Sequence, residues 1–298
     1  MAKRLKNKIR FRAPVFAAVI FALLAVYAAS LLLPFLWGAT VSLRSEKDFY
    51  LNGAFAWPSP FRFDNYAKAF RYIYAPIQYK GTVANVYYFE MLFNSFLYSL
   101  GAGFMMTLVP CLMAYVTAKY KFRFNKAIYG IVVVTMILPV VGSLPSEYQI
   151  ARALGFVDSF LGVIVMKSHF LGMYFLVFYA AFRVVPWEYA ESAMIDGASH
   201  YRIMLRVMLP LAKTAFFTVL LLNFIALWND YQSPMIYLPN HPVAAYGFYA
   251  FQFSSDNAVN SETIQMAGAM IMALPVFALF AAFNKRLMGN LTVGGLKG

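Results

Sequence analysis

Trp228-Asn229-Asp230-Tyr231 sets an indole, an amide, a carboxylate and a phenol side by side near the end of a long apolar run. Those groups suit a sugar: an aromatic face meets its C–H side, while planar amides and carboxylates meet its hydroxyls. The same four side chains also suit the interfacial belt of a membrane helix with a structural Asp. Asn223 lies deeper in the same run and is a weaker substrate candidate. Lys167 and His169 interrupt another apolar run, Phe160–Phe182. A charge inside such a run faces a bundle interior or a water path, or its stem snorkels to the interface. His169 has the chemistry of a pH switch or a ligand. With no second His or carboxylate at metal spacing, a packed polar residue accounts for it better. Together, Lys167, His169 and Asp230 would serve an ion-coupled carrier acting alone.

Composition fixes the setting of these groups. Of 298 residues, 62% are hydrophobic and 12% charged, with a mean hydropathy of +0.63. A soluble domain carries about 25% charged residues, so long apolar runs at half that value indicate a polytopic membrane protein. The net charge of +13 lies in short loops between apolar runs. That placement argues for membrane topology and against nucleic acid. The single Cys111 sits in an apolar run, excluding an intrachain disulfide and a cysteine metal cluster. A phosphate-binding G-x-x-x-x-G-K-[ST] loop is missing, so any ATP chemistry belongs to another chain. H-E-x-x-H and G-x-S-x-G are missing too.

A second stretch carries a different kind of chemistry. Pro186–Pro210 reads PWEYAESAMIDGASHYRIMLRVMLP and separates two long apolar runs. Pro186 fits the first turn of a helix, and Glu188 and Glu191 suit the positive end of its dipole. Trp187, Ala190, Met194 and Ala198 recur at helical spacing as one apolar stripe. Gly197 ends or bends the helix. Ser199 is a usable N-cap for a second helix, which Pro210 kinks or delimits. An amphipathic loop, a lipid-surface helix and a docking helix for a partner's groove all satisfy these features.

The elements around these stretches read as six spans. A basic N-terminus, residues 1–12, precedes a first span from Ala13 to about Thr40, too long for a cleaved signal peptide. Residues 44–88 read as a large outer loop with short helical pieces, rich in aromatics. The second span is 89–117, the third about Ala127–Leu144, the fourth Phe160–Phe182, the fifth Thr214–Tyr237 and the sixth Thr263–Phe283. Residues 284–298 form a tail. This order puts 17 of the 25 Lys and Arg residues on the side of both termini. Seven lie on the other side, and Lys167 is within a span. The positive-inside rule therefore makes the termini and Pro186–Pro210 cytosolic.

Glu191, Ala193, Asp196, Gly197, Ala198 and the later Pro210 resemble the coupling-loop motif of permease subunits in bacterial ABC importers. Ser192 stands where that family's pattern has its middle Ala, and Thr214 where a second Pro often follows. Asn65-Tyr66, Asn94-Ser95 and Ala114-Tyr115 also resemble that family, and Trp228–Tyr231 and the Gly-rich, Lys-Gly ending resemble its carbohydrate-importing, maltose-type members. The resemblance implies an all-α, six-helix type I importer permease fold in a bacterial inner membrane. It implies one half of a translocation path, shared with a second homologous permease. Two ATPase subunits would hold ATP and Mg, an extracytoplasmic solute-binding protein would deliver sugar, and this chain would hold no cofactor or metal. Glu188, Glu191, Ala193, Asp196, Gly197, Ala198 and Pro210 would then couple to the ATPase. Gly294, Gly295 and Lys297 would contact it from the tail. Asn223, Trp228, Asn229, Asp230, Tyr231 and Lys167 would be candidates for the sugar path.

Overall fold

The computed structural model describes residues 2–79, 81–138, 142–254, 256 and 259–291. The chain runs α1 (Ala2–Ser42), α2 (Glu46–Asn52), α3 (Asp64–Tyr72), β1 (Tyr74–Tyr79), β2 (Thr82–Tyr87) and α4 (Tyr88–Lys119). Then come α5 (Asn125–Ile137), α6 (Leu144–Ala153), α7 (Phe160–Lys167), α8 (Met173–Val184) and α9 (Glu188–Ile195). Next are α10 (His200–Ile203), a π turn (Met204–Met208), α11 (Leu209–Leu211) and α12 (Lys213–Trp228). The last are α13 (Gln232–Tyr237), α14 (Ala244–Gln252) and α15 (Glu262–Leu291).

Among the described residues, α4 and Phe16–Ser42 of α1 are long and apolar enough to cross a membrane. The bent pair His200–Leu211 and Lys213–Trp228 passes the same test only if its two helices are taken together as one span. Asn125–Ile137, Met173–Val184 and Glu262–Ala278 are shorter apolar helices. The run read as one fourth span is broken: α7 stops at Lys167, and α8 begins only after Gly172, whose φ is +116°. The outer loop holds the expected helical pieces, α2 and α3, and also an antiparallel hairpin that the sequence reading did not anticipate. Tyr74 pairs with Tyr87 and Tyr79 with Thr82, and Gly81 takes φ +80° in the connection. Gly294, Gly295 and Lys297 lie outside the described residues.

Two compact units make up the chain. Met1–Tyr72 with Ser254–Ala273 form one. Its anchor is Arg44, which is fully buried. The guanidinium donates to Asp48 Oδ2 at 2.5 Å, to the Asp48 carbonyl at 2.7 Å and to the Gly53 carbonyl at 2.7 Å. A buried charge tolerates desolvation only when paired and hydrogen-bonded in this way. The Arg44 bond and a second one from Asn52 hold the Asp48 carboxyl below its ordinary pKa. Asn65 donates to the carbonyls of Ser42 and Arg44, and the Tyr66 hydroxyl lies 2.7 Å from Ser42 Oγ. Asn65-Tyr66 thus staples α3 to the end of α1.

Ile73–Phe253 with Leu274–Gly298 form the second unit. Here α4 is the centre and packs on α12, α8, α7 and α14. At the crossing of α4 with α12, a Cβ on Gly103 would stand at an ordinary contact distance of 3.6 Å from the Phe224 amide nitrogen. Asn223 donates to Thr107 Oγ1 at 3.0 Å across the same crossing. One apolar core gathers Tyr115, Phe175, Phe178, Phe182, Ala190, Ile203 and Met208. A second gathers Tyr98, Ala102, Ala151, Val163, Leu227 and Leu238.

Candidate functional site

The backbone at the end of α9 explains why Asp-Gly-Ala follows that helix. Asp196 is the last half-helical residue, and Gly197 then takes φ +76°. The Gly197 N–H donates to the Met194 carbonyl at 3.0 Å, and the Ala198 N–H donates back to the Ala193 carbonyl at 2.9 Å. This crossed pair is a Schellman motif, which satisfies carbonyls that a helix end otherwise leaves open. Ser199 follows in extended conformation, and its hydroxyl accepts from the Arg202 N–H as the N-cap of α10. Four consecutive residues therefore close one helix and open the next. Pro186 lies just before the helix instead of in its first turn, because Trp187 occupies the N-cap position.

Burial sorts the two faces of α9. Ala190 is completely buried, and Trp187, Ala193, Met194 and Ala198 pack on the same core. The apolar stripe is thus spent inside this chain. The opposite face is exposed and carries Glu188, Tyr189, Glu191, Ser192, Ile195 and Asp196. Ile195 is 86% exposed. The sequence reading passed over Tyr189 and Ile195, the apolar members of that face. Their cue was present: both fall off the stripe, where a solvated helix would carry polar residues. Glu191 and Asp196 join no ion pair among the described residues.

Beyond α10 the helix widens. The Leu209 N–H reaches the Met204 carbonyl, five residues back. Pro210, lacking an N–H, sits in the next turn, and after Ala212 the chain bends by 76° into α12.

At the far end of α12 the structure joins two sequence candidates. Lys167 Nζ lies 3.8 Å from Asp230 Oδ2 and donates to Ser233 Oγ at 3.1 Å. The Tyr98 hydroxyl donates to Asp230 Oδ2 at 2.8 Å, and the Ser233 N–H to Oδ1 at 3.0 Å. Asp230 therefore ties together α4, α7 and α13. Tyr98 and Ser233 were not foreseen. The other candidates separate from this cluster. Trp228 is buried, packed against Phe96 and Phe224, and presents no open ring face. Asn223 is buried at the α4–α12 crossing. Asn229 is exposed and its amide donates to the Ile225 carbonyl. Tyr231 stacks on Tyr249 at 4.5 Å and 10°. The His169 ring lies 3.2 Å from the Leu171 carbonyl, a local contact. No group of three or more His, Cys, Asp or Glu able to hold a metal occurs among the described residues.

The family model for binding-protein-dependent transport system inner membrane components matches residues 92–291. The chain belongs to that family. The match takes in α9, the Schellman turn, the bend and the Asp230 cluster of this permease component. It is 28% identical over 285 residues to the diacetylchitobiose uptake system permease protein NgcG of Streptomyces coelicolor, covering 94% of this chain and 88% of that one. It is 24% identical to the melibiose/raffinose/stachyose import permease protein MelC of Bacillus subtilis, covering 94% and 96%. The permease shares its fold with a chain of a bacterial ABC transporter involved in the import of the acidic polysaccharide alginate. The TM-score is 0.73 at 21% identity, over 91% of this chain and 96% of that chain.

Proposed function

We propose that this permease component forms half of the translocation path of a carbohydrate ABC importer. A second homologous permease supplies the other half. Two ATPase subunits bind ATP and Mg, and an extracytoplasmic binding protein delivers the sugar. The chain crosses the inner membrane six times, with both termini in the cytoplasm, and catalyses no reaction itself. The observation that carries this reading is the outward face of α9. A helix whose apolar stripe is already buried still exposes Tyr189 and Ile195 between three carboxylates. That combination suits a groove on another protein better than water. The sugar relatives give the substrate class.

In this mechanism ATP-driven closure of the ATPase pair displaces α9, and α8 and α12 follow because they are joined to it. Coupling requires that α9 bind the open and closed ATPase states with different free energies. Gly197 fixes the end of the docking helix, while Glu188, Glu191 and Asp196 face the partner's basic residues. At the other end of α12, Asn229 and Tyr231 have polar or aromatic surface for a sugar, and the Lys167–Asp230 pair lies beside them.

The test is affinity capture of the tagged chain from its native membrane in mild detergent, with mass spectrometry of what accompanies it. A second permease and an ATPase are expected. Glu191→Ala and Ile195→Asp should lose the ATPase and keep the permease. Recovery of the chain alone, folded, would overturn the reading in favour of an ion-coupled carrier.

A further inference from the structure

We infer that α4 is a second mechanical output of the α9 loop, gripped through Lys119 and Tyr120. This rests on the coupling role proposed for α9. The covalent routes out of α9 are both interrupted. Toward α8 the chain passes through non-helical Val185 and Pro186. Toward α12 it passes through a π turn and a 76° bend. By contrast α4 is one helix of 32 residues, which runs on through Pro110 without a non-helical break. It is not joined to α9 by sequence, yet its C-terminal end holds the loop on both sides.

The grip has four parts. Lys119 Nζ donates to the Val185 carbonyl, just before α9. The Tyr120 ring meets Trp187 edge-on at 5.6 Å, at the N-cap of α9. The same ring meets His200 at 5.6 Å, and its hydroxyl lies 3.1 Å from His200 Nδ1, at the start of α10. That hydroxyl is also 3.2 Å from the Tyr115 hydroxyl, and the Tyr115 ring packs on Phe182 of α8. Tyr120 itself is fixed. Its N–H donates to the Val116 carbonyl at 3.0 Å, and its carbonyl accepts from the Asn125 side chain. One tyrosine thus touches the segments before and after α9, so displacement of the loop loads α4 directly.

The other end of the same rod carries Tyr98, which donates to Asp230. From Tyr98 to Tyr120 is about 33 Å at a helical rise of 1.5 Å per residue, close to the hydrocarbon thickness of a bilayer. The loop and the Lys167–Asp230 cluster are therefore connected by one continuous helix. Lys119 and Tyr120 are positioning residues: they act through α4 and touch neither sugar nor nucleotide.

The experiment uses the importer captured with its ATPase subunits, in a Cys111→Ala background. A bimane fluorophore is placed on Leu100→Cys in α4 or on Phe217→Cys in α12, both exposed positions. Emission is read before and after ATP with vanadate. The parent complex should respond at both sites. Lys119→Met with Tyr120→Ala should lose the response at Leu100 and keep it at Phe217. Simple loosening of the fold would not produce that split. Lys119→Arg should retain the α4 response, and Tyr120→Phe, which keeps the ring but not the hydroxyl contacts, should reduce it. If the double variant fails to assemble, His200→Ala on the surface takes its place and should diminish the Leu100 response alone. Full responses at both sites in any assembled grip variant other than Lys119→Arg would overturn the inference and leave the coupling role of α9 standing. No response at either site in the parent would overturn both.

Discussion

Replacing Gly197 separates a backbone requirement from a contact requirement. Its φ of +76° places it in the left-handed region. A Cβ built there meets nothing within 4 Å, so within this chain the cost of a side chain is conformational alone. For an ordinary L-residue that cost is about 1–2 kcal/mol, and Asn bears it more easily than Ala. One to two kcal/mol corresponds to a change of about 5- to 30-fold in the population of the closed turn. Gly197→Ala should therefore speed exchange of the Gly197-position and Ala198 amides, the two Schellman donors, by about that factor. Gly197→Asn should fall between Ala and the parent. Gly197→Pro should abolish the turn, because it fixes φ near −65° and removes the donor. ATPase binding by the assembled permease pair, titrated in detergent, should weaken in the same order: Gly, Asn, Ala, Pro. Equal behaviour of Gly and Ala in exchange and binding would refute the conformational argument. Asn weaker than Ala would show that side-chain volume against the partner decides the matter.

Three further outcomes follow from the packing. Asp230→Ala removes the acceptor of Tyr98 and Ser233 and should cost about 1–3 kcal/mol. Lys167→Met should cost less than about 1 kcal/mol, as for a pair in contact with solvent; thermal unfolding of the two single variants and the double variant should show a sum that is not additive. Because the Arg44 bond depresses the Asp48 carboxyl, its stabilisation is complete above the ordinary 3.8 and is lost as pH falls below it. Hydrogen exchange in α2 should accelerate in that acidic window, and Asp48→Asn should remove the pH dependence. Gly162→Ala would push a Cβ to 2.4 Å from the Phe156 Cα and should cost about 1–3 kcal/mol. Gly103→Ala meets only ordinary contacts at 3.6 Å and should stay within about 0.5 kcal/mol of the parent. Melting of the purified chain compares the two.

What the sequence disclosed and what it withheld divide by range. Gly197, Ser199 and Pro210 act on the backbone within a turn of themselves, so a helix end, a cap and a break can be read from residue types alone. The stripe on α9 is also local, but periodicity cannot say whether an apolar face meets its own core or a partner. The answer came from Phe182, Ile203 and Met208, which lie on other elements. Trp228 looked like a sugar platform because an exposed and a buried indole have the same sequence. Phe96, 132 positions earlier, fills one side of it. The hairpin was missed for a similar reason: Tyr74–Tyr79 shows no clean alternation, and its strand character depends on pairing with Thr82–Tyr87. Lys167 and Asp230 each carried a weak signal, and only the fold showed that they form one cluster with Tyr98.

The same division bears on how force travels. Motif reading follows the chain, so it sends the motion of α9 into α8 and α12, its covalent neighbours. Mechanical coupling follows stiffness and contact instead, and both covalent links contain non-helical or π geometry that can absorb a displacement. A helix that runs on through Pro110 with no non-helical break, held at its end by Tyr120 and anchored to Asp230 through Tyr98, gives that displacement a route with one interior proline as its single weak point. The residue that makes the difference, Tyr120, lies in the stretch KYKFRFNK (119–126), whose four basic residues and lack of acids signal only cytosolic topology. Its role arises because Trp187 and His200, on either side of α9, converge on one ring.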